Sequence, residues 1–156
     1  MKKYFFILFP LLFLNFTSIA KVEVTPFNDI IEKYTGKVIY VDFWASWCSP
    51  CRKEIKKVKS IKEKYKNQDI VFIYITMDIN RNECEQAILK DGTIETELNY
   101  YSIDIKKDEK FAEINKFMEI PHYLIYDKKG KLVNQNAPYP SMKNELFNEF
   151  DKYIGE

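Results

Sequence analysis

Histidine is almost missing from this chain, with His122 alone among 156 residues, and cysteine is confined to Cys48, Cys51 and Cys84. A zinc site drawn from those four side chains would have the right ligand types, but no second closely spaced pair backs the first. Three cysteines are also too few for a small scaffold stapled by several disulfides. Covalent haem attachment is excluded because Arg52, not histidine, follows Cys51. No repeat, Gly/Ser linker or low-complexity tract follows the first twenty residues, so a single domain is expected. Charge of one sign is lacking too. With 24 basic residues against 23 acidic ones, bulk charge favours neither nucleic acid nor an anionic membrane surface as a partner.

What is present begins with Met1-Lys2-Lys3, an apolar run from Tyr4 to Phe16 and a small-residue end at Ser18-Ile19-Ala20. That order is a secretory signal peptide with cleavage after Ala20. The run is shorter than the ~20 residues of a membrane-spanning helix; left uncleaved, it would act as an N-terminal anchor. The expected organisation is a signal peptide over 1–20 and one domain over 21–156, in a periplasmic or cell-surface setting where disulfides persist. Losing Lys2 and Lys3 leaves 22 basic residues against 23 acidic, still close to balance.

Thr25-Pro26 reads as a cap followed by proline in the first turn of a helix over 26–34, closed by Gly36. Residues 38–44, Val-Ile-Tyr-Val-Asp-Phe-Trp, form a β-rich run broken by one carboxylate, which suits a buried central strand. A helix follows from Ser49 or Pro50 to Tyr65, with Ile55, Val58 and Ile61 on one stripe and Lys or Glu on the other. A second buried strand spans 70–75 and a helix 80–90, where Cys84 shares an apolar face with Ala87 and Ile88. Residues 93–105 are ambiguous, a loop with a short strand near 100–105. A helix is predicted over 107–118. The turn Asp127-Lys128-Lys129-Gly130 joins strands 123–126 and 131–134, and a last helix covers 141–153. Parallel strands joined through helices and followed by an antiparallel hairpin predict an α/β protein with a mixed central sheet flanked by helices.

Trp47-Cys48-Ser49-Pro50-Cys51 sits where a buried strand ends and a helix begins. Unpaired N–H groups and the positive end of the helix dipole stabilise an anion there and lower the pKa of the first thiol. Cys48 is therefore expected to be the exposed attacking sulfur. Cys51, one turn into the helix and deeper, would resolve the mixed disulfide. Pro50 fits the first turn because its missing N–H has no helical partner, and Ser49 brings a hydroxyl close to the sulfur. A C-x-x-C loop this short stabilises a fold little, so chemistry explains it better than architecture.

The segment Val41-Asp42-Phe43-Trp44-Ala45-Ser46-Trp47-Cys48-Ser49-Pro50-Cys51 resembles the active-site stretch of thioredoxins. Ile120-Pro121 and the hairpin after it resemble their cis-proline region. The signal peptide and the long segment before Pro121 are similar to the exported TlpA/ResA-type branch of thiol-disulfide oxidoreductases. The resemblance implies a thioredoxin fold with an inserted segment before the cis-proline strand. It implies nucleophilic Cys48, resolving Cys51, and Asp42 as the buried acid that moves a proton at Cys51, a task suited to a carboxyl with a raised pKa. It further implies a cis peptide at Pro121, β-type pairing of a substrate strand with the backbone of Ile120, and Trp47 flanking the thiols. Lys56 stands where thioredoxins carry a helix-kinking proline, so the helix is expected to run straight. Ser49 replaces a glycine and His122 a threonine, and next to the thiols His122 could tune their pKa.

The expected activity is thiol-disulfide exchange with protein thiols and disulfides, as a monomer, without cofactor or metal beyond the redox-active Cys48–Cys51 disulfide. Net reduction is favoured over oxidation, with electrons drawn from a membrane partner. A redox-inactive adaptor that keeps the fold for recognition, and an oxidising disulfide-forming enzyme, are the alternatives.

Overall fold

The structure, a computed structural model, describes residues 25–106, 111–112, 114 and 119–155. The expected signal peptide and most of the helix predicted over 107–118 lie outside the described residues.

The run Val38–Trp44 forms strand β2, and every one of its seven residues is buried. β-branched and aromatic side chains on both faces make such a strand stable only with layers above and below it. β2 lies at the centre of a five-stranded sheet, flanked on one side by the parallel strand β3 (Ile70–Thr76), in register from Val38 opposite Ile70 to Trp44 opposite Thr76. On its other side runs β6 (His122–Tyr126), antiparallel, followed by β7 (Leu132–Asn134), antiparallel to β6. The β6–β7 turn is held by Asp127, whose Oδ1 accepts the N–H groups of Lys129 and Lys131 at 2.9 Å each. Gly130 supplies the positive φ of 75° that the turn needs.

One face of the sheet is covered by helices α2 (Ser49–Lys64), α3 (Arg81–Asp91) and α4 (Lys143–Ile154). Ile55, Val58 and Ile61 from α2, Cys84, Ala87 and Ile88 from α3, and Leu146, Phe150 and Tyr153 from α4 share one core with Tyr40, Trp44 and Tyr74. The other face is covered by helix α1 (Phe27–Glu32) together with Ile105 and Phe111. α2 runs without a break past Lys56, as expected where no proline interrupts it.

Two local readings change. Thr25–Pro26 does not cap the first helix; it forms the short strand β1, parallel to β5 (Ile105–Lys106), and α1 begins at Phe27 with no side-chain cap. Pro26, at φ −58° and ψ 143°, is extended, a conformation as compatible with an edge strand as with a helix entry. Within the ambiguous stretch, Asn99–Tyr101 forms β4, which extends the main sheet beyond β3. Asn99 ties this edge down by accepting from the indole N–H of Trp44 at 3.0 Å, while its amide approaches Cys84 Sγ at 3.7 Å.

Candidate active site

Where β2 ends, the chain must turn and present a helix start, and three hydrogen bonds fix that turn. The backbone N–H and hydroxyl of Ser46 both donate to Asp78, at 2.8 and 2.7 Å, and Thr76 donates to the same carboxylate at 2.6 Å. The N–H of Cys48 then bonds the carbonyl of Ala45 at 3.0 Å. Asp78 is 2% exposed, and its three donors offset the desolvation of its charge. Asp78→Ala would strand the Thr76 hydroxyl in the interior and leave the half-buried Ser46 amide without its acceptor. The expected cost is about 2–3 kcal/mol in a urea melt, with slower thiol exchange because the loop before Cys48 loosens.

Cys48 occupies the N-cap of α2, with its Sγ accepting the N–H of Cys51 at 3.2 Å. The two cysteines are joined as a disulfide across a Cα separation of 5.3 Å. Cys51 is 0% exposed and Cys48 5%. The expected order of depth holds, but Cys48 is not the exposed sulfur anticipated; the peptide at Ile120 closes over it. That carbonyl oxygen stands 3.9 Å from Cys48 Sγ, and the Ile120–Pro121 bond is cis. Trp47, 66% exposed, is the large apolar side chain beside this opening.

Asp42 lies on the β2 face that carries α2, directly between Tyr74 of β3 and Tyr123 of β6 in register. It is 1% exposed, and among the described residues neither carboxylate oxygen has a hydrogen-bond partner; the hydroxyls of Tyr74 and Tyr123 are likewise buried and without a partner among them. Burial pushes the Asp42 carboxyl well above the usual range, the negative charge of Glu54 raises it further, and Lys62 opposes both. Glu54 is fixed on α2 by Lys57, at 2.6 Å, and by the backbone N–H of Ser141, at 2.7 Å.

His122 goes elsewhere. Its ring packs 6.1 Å from that of Phe43, on the sheet face opposite α2, and burial lowers its pKa. Side chains alternate along β6, so Tyr123 and Ile125 face α2 while His122, Leu124 and Tyr126 face α1. Cys84 is buried among α3 neighbours, and burial raises its thiol. Among the described residues no three His, Cys, Asp or Glu side chains gather as metal ligands. Sequence reasoning missed Asp78 and Glu54. Glu54 carried one signal, a single carboxylate one turn beyond Cys51 on a lysine-rich face, whereas nothing in the local sequence marked Asp78 as the anchor of Ser46, 32 positions earlier.

A C-x-x-C pair at the mouth of the helix that follows the central strand, with a cis-proline peptide against it, defines the class of thioredoxin folds. The chain belongs to the thioredoxin-like family, whose family model matches residues 36–132. Among curated relatives, the thiol-disulfide oxidoreductase ResA of Bacillus thuringiensis subsp. konkukian is 25% identical over 105 residues, covering 67% of this chain and 57% of that protein. A thioredoxin of Coprinus comatus is 37% identical over 71 residues, covering 44% of this chain and 67% of its own length. The chain thus spans little more than half the length of the ResA proteins it matches, 57% in the case given. Among solved structures, a candidate thiol-disulfide oxidoreductase from Bacteroides vulgatus superposes with a TM-score of 0.65 at 30% identity, covering 80% of this chain and 78% of that one. The fold and the resemblance to the ResA-type branch are as expected from the sequence.

Proposed function

We propose that this protein is a thiol-disulfide oxidoreductase that reduces disulfides in protein partners through Cys48 and Cys51. The observation that carries the reading is the Cys48 sulfur at the N-cap of α2, accepting the Cys51 N–H and lying against the Ile120 carbonyl. In the dithiol form that N–H and the helix dipole favour the Cys48 thiolate. The thiolate attacks one sulfur of a partner disulfide; an S–S bond forms to Cys48, and the partner's other sulfur leaves as a thiolate that takes up a proton. Cys51 then loses its proton, attacks Cys48 and releases the second partner thiol. Two electrons and two protons have passed to the partner, and the Cys48–Cys51 disulfide remains. Asp42, buried beneath α2 with a raised pKa, is the acceptor assigned to the Cys51 proton. Pro121 and the Ile120 backbone align an extended partner segment, and Trp47 covers it from the other side. His122, facing Phe43, supports the β6 entrance and does not touch the sulfurs.

The protein works as an exported monomer, after cleavage at Ala20, and a membrane partner returns two electrons to the disulfide. The names of the ResA relatives support the reaction class.

With dithiothreitol as electron source, the wild-type protein is expected to accelerate insulin reduction. A glutathione redox titration is expected to place the couple nearer the thioredoxin value of about −270 mV than the oxidant value of about −120 mV. A potential near the latter would make the protein an oxidant instead.

A further inference from the structure

Two adjoining cavities of about 320 and 450 Å³ open beside Cys48, sharing Ser46, Trp47, Arg52 and Lys90. Neither is lined by the Ile120–Pro121 peptide, so together they form a trough distinct from the β-pairing edge. The first turns of α2 supply Arg52, Lys53 and Lys56, and the last turn of α3 supplies Lys90 and Asp91. The anionic groups of the trough are largely committed. Asp91 accepts Arg52 at 2.6 and 3.1 Å and lies 3.4 Å from the Lys56 ammonium, while Glu83 accepts from Asn80 at 3.0 Å. Lys53 and Lys90 are exposed and form no ion pair or hydrogen bond among the described residues.

The first turn of α2 contains no acidic residue, and its one charged side chain, Arg52, stands at the positive end of the helix dipole, with Lys53 directly after it. An incoming carboxylate would meet the two uncommitted ammonium groups of Lys53 and Lys90, with the indole of Trp47 forming an apolar wall for the backbone that carries it. The chain as a whole is nearly neutral, so this is a local acceptor and not a general polyanion surface.

We propose that this trough seats an acidic stretch of the partner polypeptide next to its reacting cysteine, and so selects disulfides flanked by Asp or Glu. The inference rests on the disulfide-exchange reading, since the trough begins one residue from Cys48.

The test compares the reduced wild-type protein on three synthetic disulfide peptides that differ only in flanking residues: Asp/Glu, Asn/Gln and Lys. Bis(2-hydroxyethyl) disulfide serves as an uncharged small substrate. The expected second-order rate is about tenfold higher for the acidic peptide than for the amide one at low salt, shrinking to within about twofold at high salt. The Lys53→Glu, Lys90→Glu double variant should reverse the order of the acidic and basic peptides, and Lys53→Gln with Lys90→Gln should bring the ratio close to one. Reaction of the wild type with the small disulfide but equal rates on all three peptides would overturn the trough while leaving the exchange reading intact. No reaction with any of the four would overturn both. Lysine-dependent binding to phosphatidylserine vesicles, with no peptide preference, would assign the trough to a lipid surface and overturn the proposal.

Discussion

Cys48→Ser is expected to lower disulfide turnover by at least about a thousandfold, because the step it removes has no substitute in the site. Cys51 is 0% exposed beneath it, and Cys84 is buried among α3 neighbours with its thiol raised by burial. Neither can take over the attack. Cys51→Ser should fail differently. Cys48 still attacks, but nothing releases it, so the enzyme accumulates as a covalent complex visible on a non-reducing gel and dissolved by dithiothreitol. Turnover by Cys48→Ser within tenfold of the wild type would leave the adaptor reading standing.

The second large effect is at Asp42. Its carboxyl titrates higher in the folded protein than in the unfolded chain, so between the two values the native state binds more protons and its stability falls as pH rises. Asp42→Asn removes that slope. The two proteins should be close in stability below the unfolded carboxylate pKa of about 3.9, where both are uncharged at this position. At pH 8 the variant should be the more stable, by about 1.4 kcal/mol for each unit by which the folded carboxyl value stands above the unfolded one up to that pH, because the amide cannot ionise in the interior. Resolution of a preformed mixed disulfide should nevertheless slow by about tenfold or more, since the amide cannot accept the Cys51 proton. Chemical denaturation across pH and stopped-flow resolution kinetics check the two halves independently. An unchanged resolution rate would make Asp42 a structural residue.

The sequence made the central strand and the dithiol legible because both are continuous. Val38–Trp44 shows its burial as an unbroken β-rich run, and Cys48 to Cys51 shows its helix-mouth position through Pro50. The carboxylate in an apolar strand announced itself in the same way. What escaped depends on residues distant in sequence. β4 is a three-residue edge strand with a polar Asn99 at its start, and its place comes from pairing with β3 and from the Trp44 indole across the sheet. Asp78 anchors Ser46 from the far side of β3, a contact no local pattern encodes. The shielding of Cys48 comes from a peptide seventy-two positions later. The orientation of His122 was within reach: counting alternate residues back from Leu124 and Tyr126 puts it with them, away from the sulfurs.

The sulfur that reacts is also the atom that terminates α2. A thiolate is a stronger acceptor for the Cys51 amide than a sulfur already spent in an S–S bond. Gaining two electrons therefore tightens the helix end, and losing them slackens it. The amide of Cys51 is a built-in gauge of electron occupancy, and the surface around Trp47, where a partner is proposed to dock, rests on a helix whose firmness changes with each cycle.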